Sequence, residues 1–397
     1  MVPKSGSIPI WQGMEVQVRV ALMAPTAGIE NSYQLSASEL FRTVGGNTGN
    51  LAFIEAISIH LKRQAVVVPW EIKPDKLREV ADIVVFAGAN QLGAHTHLGG
   101  LATLFEAAKL PVVVIGLGAQ ADSLEVETTI PEGTLRWLKV VSDLAPSSAP
   151  NIGVRGEYSY KQIERVGFGD RAIVTGCPSN FMNLESDFAS VIEARLQLPI
   201  RRIVSAVGQH RWGRLADIER SLLDLVDSTF GSCVVQSGEL MVQLGQGELS
   251  SIPPAEFELL RAYFRPELTS DEFAVWCRRN MLAFGNVPSW RKWLAQHDFV
   301  VGPRFHGVML AIQSGVPAGC IAHDSRTIEL CTTMGIPVRK VQDIKLPISL
   351  QALSKLFSFS ASEYRAKRQK LAKAYVSILQ GAKLDFDGRL LALSSSV

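Results

Sequence analysis

Short apolar runs recur along the chain, with longer amphipathic stretches between them. They predict strands at Val16–Leu22, Ala65–Pro69, Asp82–Ala87, Pro111–Gly116, Asn151–Val154 and Arg171–Thr175. After a more polar stretch, further strands are expected at Arg202–Val207, Gly231–Gln236, Asp298–Val301 and Ala318–Ala322. The runs are nearly continuous rather than alternating, as in strands whose two faces are both covered by helices. Strand and helix in alternation predict an α/β fold with parallel sheets and right-handed crossovers.

Helical spacing is clearest where Leu51, Ile54, Ile57, Ser58 and Leu61 follow the polar, glycine-rich segment Gly45–Asn50. Two more helices are expected directly after strands, at Gly156–Val166 and Phe305–Ser314. Near the C-terminus, Leu371, Tyr375, Ile378 and Leu379 mark a long amphipathic helix. It opens with Ser360 and Glu363 at capping-box spacing. Strand signals stop between Asn183 and Arg201, which divides the chain into residues 1–195, residues 196–345 and a C-terminal helical segment 346–397 that packs back. Two Rossmann-like halves imply a shared cleft, with ligands at strand C-terminal ends and helix N-termini.

Composition narrows the function classes. In 397 residues, 40 Lys+Arg against 38 Asp+Glu leave a net charge of +2, without the basic excess of a dedicated nucleic-acid binder. No apolar run approaches the ~20 residues of a membrane-spanning helix. No apolar signal core precedes Arg19, so a cytoplasmic location is expected. The five cysteines (177, 233, 277, 320 and 331) form no CxxC pair and read as buried thiols in a reducing compartment.

Candidate chemistry gathers at strand ends. Gly116-Leu117-Gly118-Ala119-Gln120-Ala121 has the G-x-G-x-x-A spacing of a dinucleotide fingerprint. It follows the fourth strand rather than the first, and Asp122–Glu125 reads as loop, so a tight turn lining the cleft fits better. His95-Thr96-His97 puts two imidazoles on one side of an extended segment, but no acidic third ligand lies in Gly88–Gly100. A polar active-site loop is the better reading there. No G-x-S-x-G elbow and no P-loop occurs. Gly45–Asn50 could cradle an anion at a helix start, or could simply cap the helix through Asn47 or Thr48. Arg155 opens a helix one residue after a strand, where a guanidinium can hold a phosphate or carboxylate. In Arg304-Phe305-His306-Gly307 a permanent cation stands two residues from a side chain that titrates near neutrality. Gly307 allows close backbone approach. Asp324-Ser325-Arg326 ends the next strand, with Asp324 as either a reacting group or a helix cap.

These motifs, taken together and in order, resemble the polysaccharide pyruvyl transferase family. The resemblance is carried by Gly46–Asn50, Val154-Arg155 with Ser159, and Thr175-Gly176-Cys177-Pro178-Ser179. It is carried most by Gly302–His306, followed by Ser314–Pro317, Asp324–Arg326 and Met334–Pro337. Three positions depart from the family's usual pattern: Asn50-Leu51 where acidic residues are usual, Ser179 where aspartate is usual, and Ala87-Gly88-Ala89-Asn90 in the loop after the third strand.

The resemblance implies a GT-B-like fold, with the N-terminal half on the acceptor side and the C-terminal half on the donor side. It also implies transfer of a pyruvyl unit from phosphoenolpyruvate, as co-substrate, onto two hydroxyls of one sugar. Arg304, Arg155 and Arg326 would then clamp the donor, with Gly307 beside them. His306 as imidazolium would protonate the donor's methylene carbon, and His306 or Asp324 would take a hydroxyl proton. Asn47, Gly49, Asn50, Asn90, His95 and Ser179 would line the acceptor side. The chemistry demands neither metal nor cofactor, because arginines can neutralise the phosphate. The acceptor would be a polysaccharide or lipid-linked oligosaccharide, and peripheral membrane association would follow from the latter. Two other readings share the architecture: a glycosyltransferase using a sugar nucleotide, and an inactive sugar-binding scaffold.

Overall fold

A computed structural model describes residues 18–121, 123–185 and 187–395. Val16 and Gln17 of the first expected strand, and Asp122 of the loop after Ala121, lie outside the described residues. All ten expected strands form, several of them shortened. They are β1 (Val20–Met23), β2 (Val66–Val68), β3 (Ile83–Ala87), β4 (Val112–Leu117), β5 (Ile152–Val154), β6 (Ala172–Val174), β7 (Ile203–Ala206), β8 (Ser232–Val235), β10 (Phe299–Gly302) and β11 (Ala318–Ala322). Two more, β9 (Met281–Ala283) and β12 (Val338–Lys340), extend the second half to six strands.

The strands make two parallel six-stranded sheets, ordered β2-β1-β3-β4-β5-β6 and β12-β11-β10-β7-β8-β9. This is the two-half, GT-B-like arrangement. Strand order reverses between β1 and β3 in the first sheet and between β7 and β10 in the second. Open α/β sheets form ligand crevices at such switch points, beyond the strand C-termini.

Three apolar layers explain the continuous runs. Val84 and Phe86 of β3 face an outer core of the first half, while Ile83, Val85 and Ala87 face a central core. Val204 of β7 and Val300 of β10 enter that same central core, and Ile203, Phe299 and Val301 turn to an outer core of the second half. The central layer therefore belongs to both halves.

The C-terminal helix Ala361–Gly381 crosses back to it, adding Tyr364, Leu371, Tyr375 and Leu379. Ser360 caps this helix by accepting from Glu363 N at 3.3 Å. Glu363 makes no reciprocal bond to the Ser360 backbone, so half of the expected capping box forms.

Candidate active site

Local geometry brings the second half's residues to its switch point. β10 ends at Gly302, and the helix Phe305–Gln313 starts three residues later with Arg304 as its N-cap. Arg304 is 7% exposed, and its guanidinium stacks on Trp212 at 4.3 Å. Its Nε and Nη2 have no hydrogen-bond partner among the described residues. Burial, with Arg326 adding repulsion, pushes its pKa down to about 10, so it stays charged at neutral pH. A buried guanidinium with spare donors carries an uncompensated desolvation cost that an anionic ligand offsets.

The first half supplies Arg155, 2% exposed, immediately after β5. It donates through Nη2 to Gly88 O at 3.4 Å and lies over the Phe53 ring at 5.6 Å, with no partner for Nε among the described residues. The Gly116–Ala121 segment is the turn that seats it, since a Cβ on Gly118 would stand 2.9 Å from Arg155 Cδ. The dinucleotide spacing is thus the imprint of an arginine seat.

His306 is half-buried, with Arg155 and Arg326 close enough to act on it. Its ring lies 5.6 Å from Phe53, and its Nε2 is 3.7 Å from Cys177 Sγ. Burial, then Arg155 and Arg326, push its pKa well below the ordinary histidine value. The free protein therefore carries a neutral imidazole at physiological pH, and the imidazolium that the family resemblance implies belongs to the site with its anions bound. Cations surround the ring, and only a bound anion would reverse the balance.

Arg326, which the family resemblance also implies as a clamp, acts electrostatically on Arg155, Arg304 and His306 alike. Asp324 has both carboxylate oxygens engaged. Oδ1 accepts from Thr327 N at 2.8 Å and Thr327 Oγ1 at 2.6 Å, while Oδ2 faces Arg326 at 3.4 Å and His323 at 3.6 Å. Burial alone would raise its pKa, but Arg326, His323 and the Thr327 bonds outweigh it and hold the carboxyl low. Asp324 is the N-cap of the helix Ser325–Met334 and orients Arg326.

The close approach at Gly307 serves packing. A Cβ there would fall 2.7 Å from Gln236 Nε2, and one on Gly49 would fall 2.7 Å from Gln236 Oε1. Gln236 thus fills the seam between the two helix starts. Thr48 N donates to Gln236 O at 2.8 Å, and Asn47 pairs with Ser237, so the Gly45–Asn50 segment docks on the second half.

The first-half switch point opens into a cavity of about 640 Å³. Asn47, Asn50, Phe53, Trp70, Asn90 and Gln91 are among its lining residues. Phe53 joins the cavity to His306 and Arg155. His95 lies outside it, exposed, with Nε2 against Asn90 O at 2.9 Å. His97 instead accepts from Gly99 N at 3.4 Å, so the two imidazoles do not converge. Ser179 is fully buried and donates to Cys177 Sγ at 3.0 Å, so it meets the site through the thiol rather than lining it.

Sequence reasoning missed Trp212, Gln236, Glu219 and Glu329. Glu219 is buried near Arg304, accepts from Tyr263 OH at 2.6 Å and from Gly208 N, and is raised by burial to about 7. Trp212 and Gln236 each follow a strand end, the one signal that could have drawn attention to them.

Comparison with curated proteins found no match. Among solved structures, a putative UDP-N-acetylglucosamine 2-epimerase from Listeria monocytogenes is 10% identical with a TM-score of 0.48, covering 92% of this chain and 97% of its own. The S. aureus MnaA–UDP co-structure is also 10% identical, with a TM-score of 0.45 and coverage of 91% and 98%. The family profile described as polysaccharide pyruvyl transferase matches residues 47–325, from the Asn47 docking segment to the start of the helix that carries Arg326. That match takes in most of the chain, and the protein belongs to the polysaccharide pyruvyl transferase family.

Proposed function

We propose that the protein transfers the pyruvyl group of phosphoenolpyruvate onto two hydroxyls of one sugar in a polysaccharide or lipid-linked oligosaccharide, forming a cyclic ketal. The observation that carries this reading is the gathering of Arg155, Arg304 and Arg326, with Arg326 acting on both other arginines and, together with Arg155, on His306, and with spare buried donors on Arg155 and Arg304. Phosphoenolpyruvate presents a phosphate and a carboxylate on a three-carbon frame, a match for several guanidiniums around one imidazole. A sugar-nucleotide donor would call for a carboxylate at this helix start, where Arg304 and His306 stand instead.

The neighbouring cavity suits the acceptor. Its amides offer donors and acceptors for hydroxyls, and Trp70 and Phe53 offer apolar faces for a sugar ring. Bound dianion returns positive character to His306, which protonates C3 of the donor. A first hydroxyl adds at C2, phosphate departs, and the second hydroxyl closes the ring. Among the described residues no helix is long and apolar enough to cross a membrane.

Phosphate release from phosphoenolpyruvate across a panel of sugar acceptors tests the reading. Acceptor-dependent release is expected, together with thermal stabilisation by phosphoenolpyruvate and none by uridine or guanosine sugar nucleotides. Stabilisation by the sugar nucleotides alone would overturn it.

A further inference from the structure

We propose that Cys177 is a positioning residue that acts through His306, its thiol donating to Nε2 and relaying a proton to the imidazole. The inference rests on the pyruvyl-transfer reading for its chemistry and on geometry for its direction. Ser179 Oγ donates to Cys177 Sγ at 3.0 Å, which occupies the sulfur as an acceptor and leaves its S–H for His306 Nε2 at 3.7 Å. The Cys177 backbone is held from the other half as well, since Cys177 N donates to Met334 Sδ at 3.3 Å. The chain of donors therefore runs Ser179, Cys177, His306, and it leaves the ring's own N–H on Nδ1.

The relay answers a difficulty in the site. Burial and two arginines keep the imidazole neutral in the free protein, so once the bound donor favours the imidazolium a proton must still come from a neighbouring group. Transfer of the thiol proton to Nε2 makes an imidazolium and a thiolate. Arg155 lies within electrostatic reach of Cys177 and steadies the thiolate. The Nδ1 proton then passes to C3 of the donor, whose C2–C3 π pair forms the new C–H bond. The first hydroxyl adds to C2 and gives its proton to Nδ1, and the Nε2 proton returns to sulfur. The C2–O bond to phosphate breaks with its electrons on phosphate, which takes the second hydroxyl's proton as the ring closes. The relay ends as it began. The charged or titratable groups facing the pair are Arg155, Arg326 from the helix Ser325–Met334, and Tyr375 from the helix Ala361–Gly381.

The test combines turnover and spectroscopy on the full chain. Cys177→Ala should lower kcat for acceptor-dependent phosphate release about 100-fold at pH 8, with KM for phosphoenolpyruvate changed by less than about threefold. The loss should shrink as pH falls, because His306 alone must then hold the proton. Cys177→Ser, whose hydroxyl can still donate to Nε2 but is too weak an acid to give up its proton, should keep the Nδ1 preference yet lose kcat nearly as far as Cys177→Ala. An equal loss at every pH, a rise in KM without loss of kcat, or no loss at all would each overturn the relay. Nitrogen-15 imidazole spectra of His306 give a readout independent of turnover. Wild type should carry its proton on Nδ1, and Cys177→Ala should lose that preference. A proton on Nε2 in wild type refutes the assignment even if no acceptor supports phosphate release, an outcome that would count against pyruvyl transfer instead.

Discussion

At the residue scale the arginines and the histidine do separable jobs. Arg304 holds charge in a buried stack on Trp212, while His306 is the group that moves a proton in the proposed transfer. Arg304→Ala should therefore weaken phosphoenolpyruvate binding about 10–100-fold, since it removes a charge-assisted pair. His306→Ala should lower turnover by about 100-fold or more while phosphoenolpyruvate still stabilises the protein against heat. Calorimetric titration beside a phosphate-release assay separates the two, and unchanged acceptor-dependent turnover in His306→Ala would remove it from proton transfer. These two residues were legible because they stand together at one strand end. Cys177 was visible only as part of a motif, and its partner lies 129 positions away. Glu219 and Glu329 could not be read at all. Each is an isolated polar residue whose burial appears only when distant segments close over it.

Among the elements, one helix is capped by the opposite half of the molecule. The helix Glu157–Arg165 follows Arg155, and its N-cap Gly156 has no side chain to offer. Glu329 supplies the cap across the cleft, accepting from Ser159 N at 2.6 Å and Ser159 Oγ at 2.8 Å. Ser159 Oγ in turn accepts from Ala119 N at 2.9 Å, so the cap also fixes the turn that seats Arg155.

Glu329→Ala should cost about 1–3 kcal/mol in urea unfolding, because a buried helix start loses a charged acceptor. It should also reduce phosphoenolpyruvate affinity. Glu329→Gln, which keeps one acceptor oxygen, should recover part of both, and undiminished stability in the alanine variant would show that the cap contributes nothing. Most of the ten strands were legible because helices cover both sheet faces, which writes the strand as an unbroken apolar run, while the edge strand β2 keeps that run with Val66 and Val67 exposed. The two that escaped lack that mark. β9 is Met-Leu-Ala and begins at the residue that caps the helix Ser270–Asn280, while β12 is Val-Arg-Lys, without a buried residue at the sheet's edge.

Over the whole molecule, the central apolar layer makes the two halves one cooperative body. Residues of both sheets and of the C-terminal helix meet there, and His60 is buried at the joint. Its Nδ1 lies 3.1 Å from Tyr375 OH and its Nε2 3.0 Å from Phe181 O, tying the helix Asn50–His60 to the helix Ala361–Gly381. Burial pushes its pKa from 6.5 down to about 4, so the fold accommodates the neutral ring and resists the charged one. The unfolded chain binds a proton near pH 6.5 that the native state refuses until about pH 4. The stability this group contributes is therefore whole above pH 6.5 and is lost as pH falls through that window, an effect of ~3 kcal/mol. Scanning calorimetry should show a single transition at pH 7, because neither half retains a complete core alone. Its midpoint should fall on acidification to pH 4.5, and His60→Gln, which cannot gain a proton, should fall less over the same range. An equal fall in the two proteins would place the acid sensitivity elsewhere, and two separate transitions at pH 7 would show that the central layer does not bind the halves into one unit.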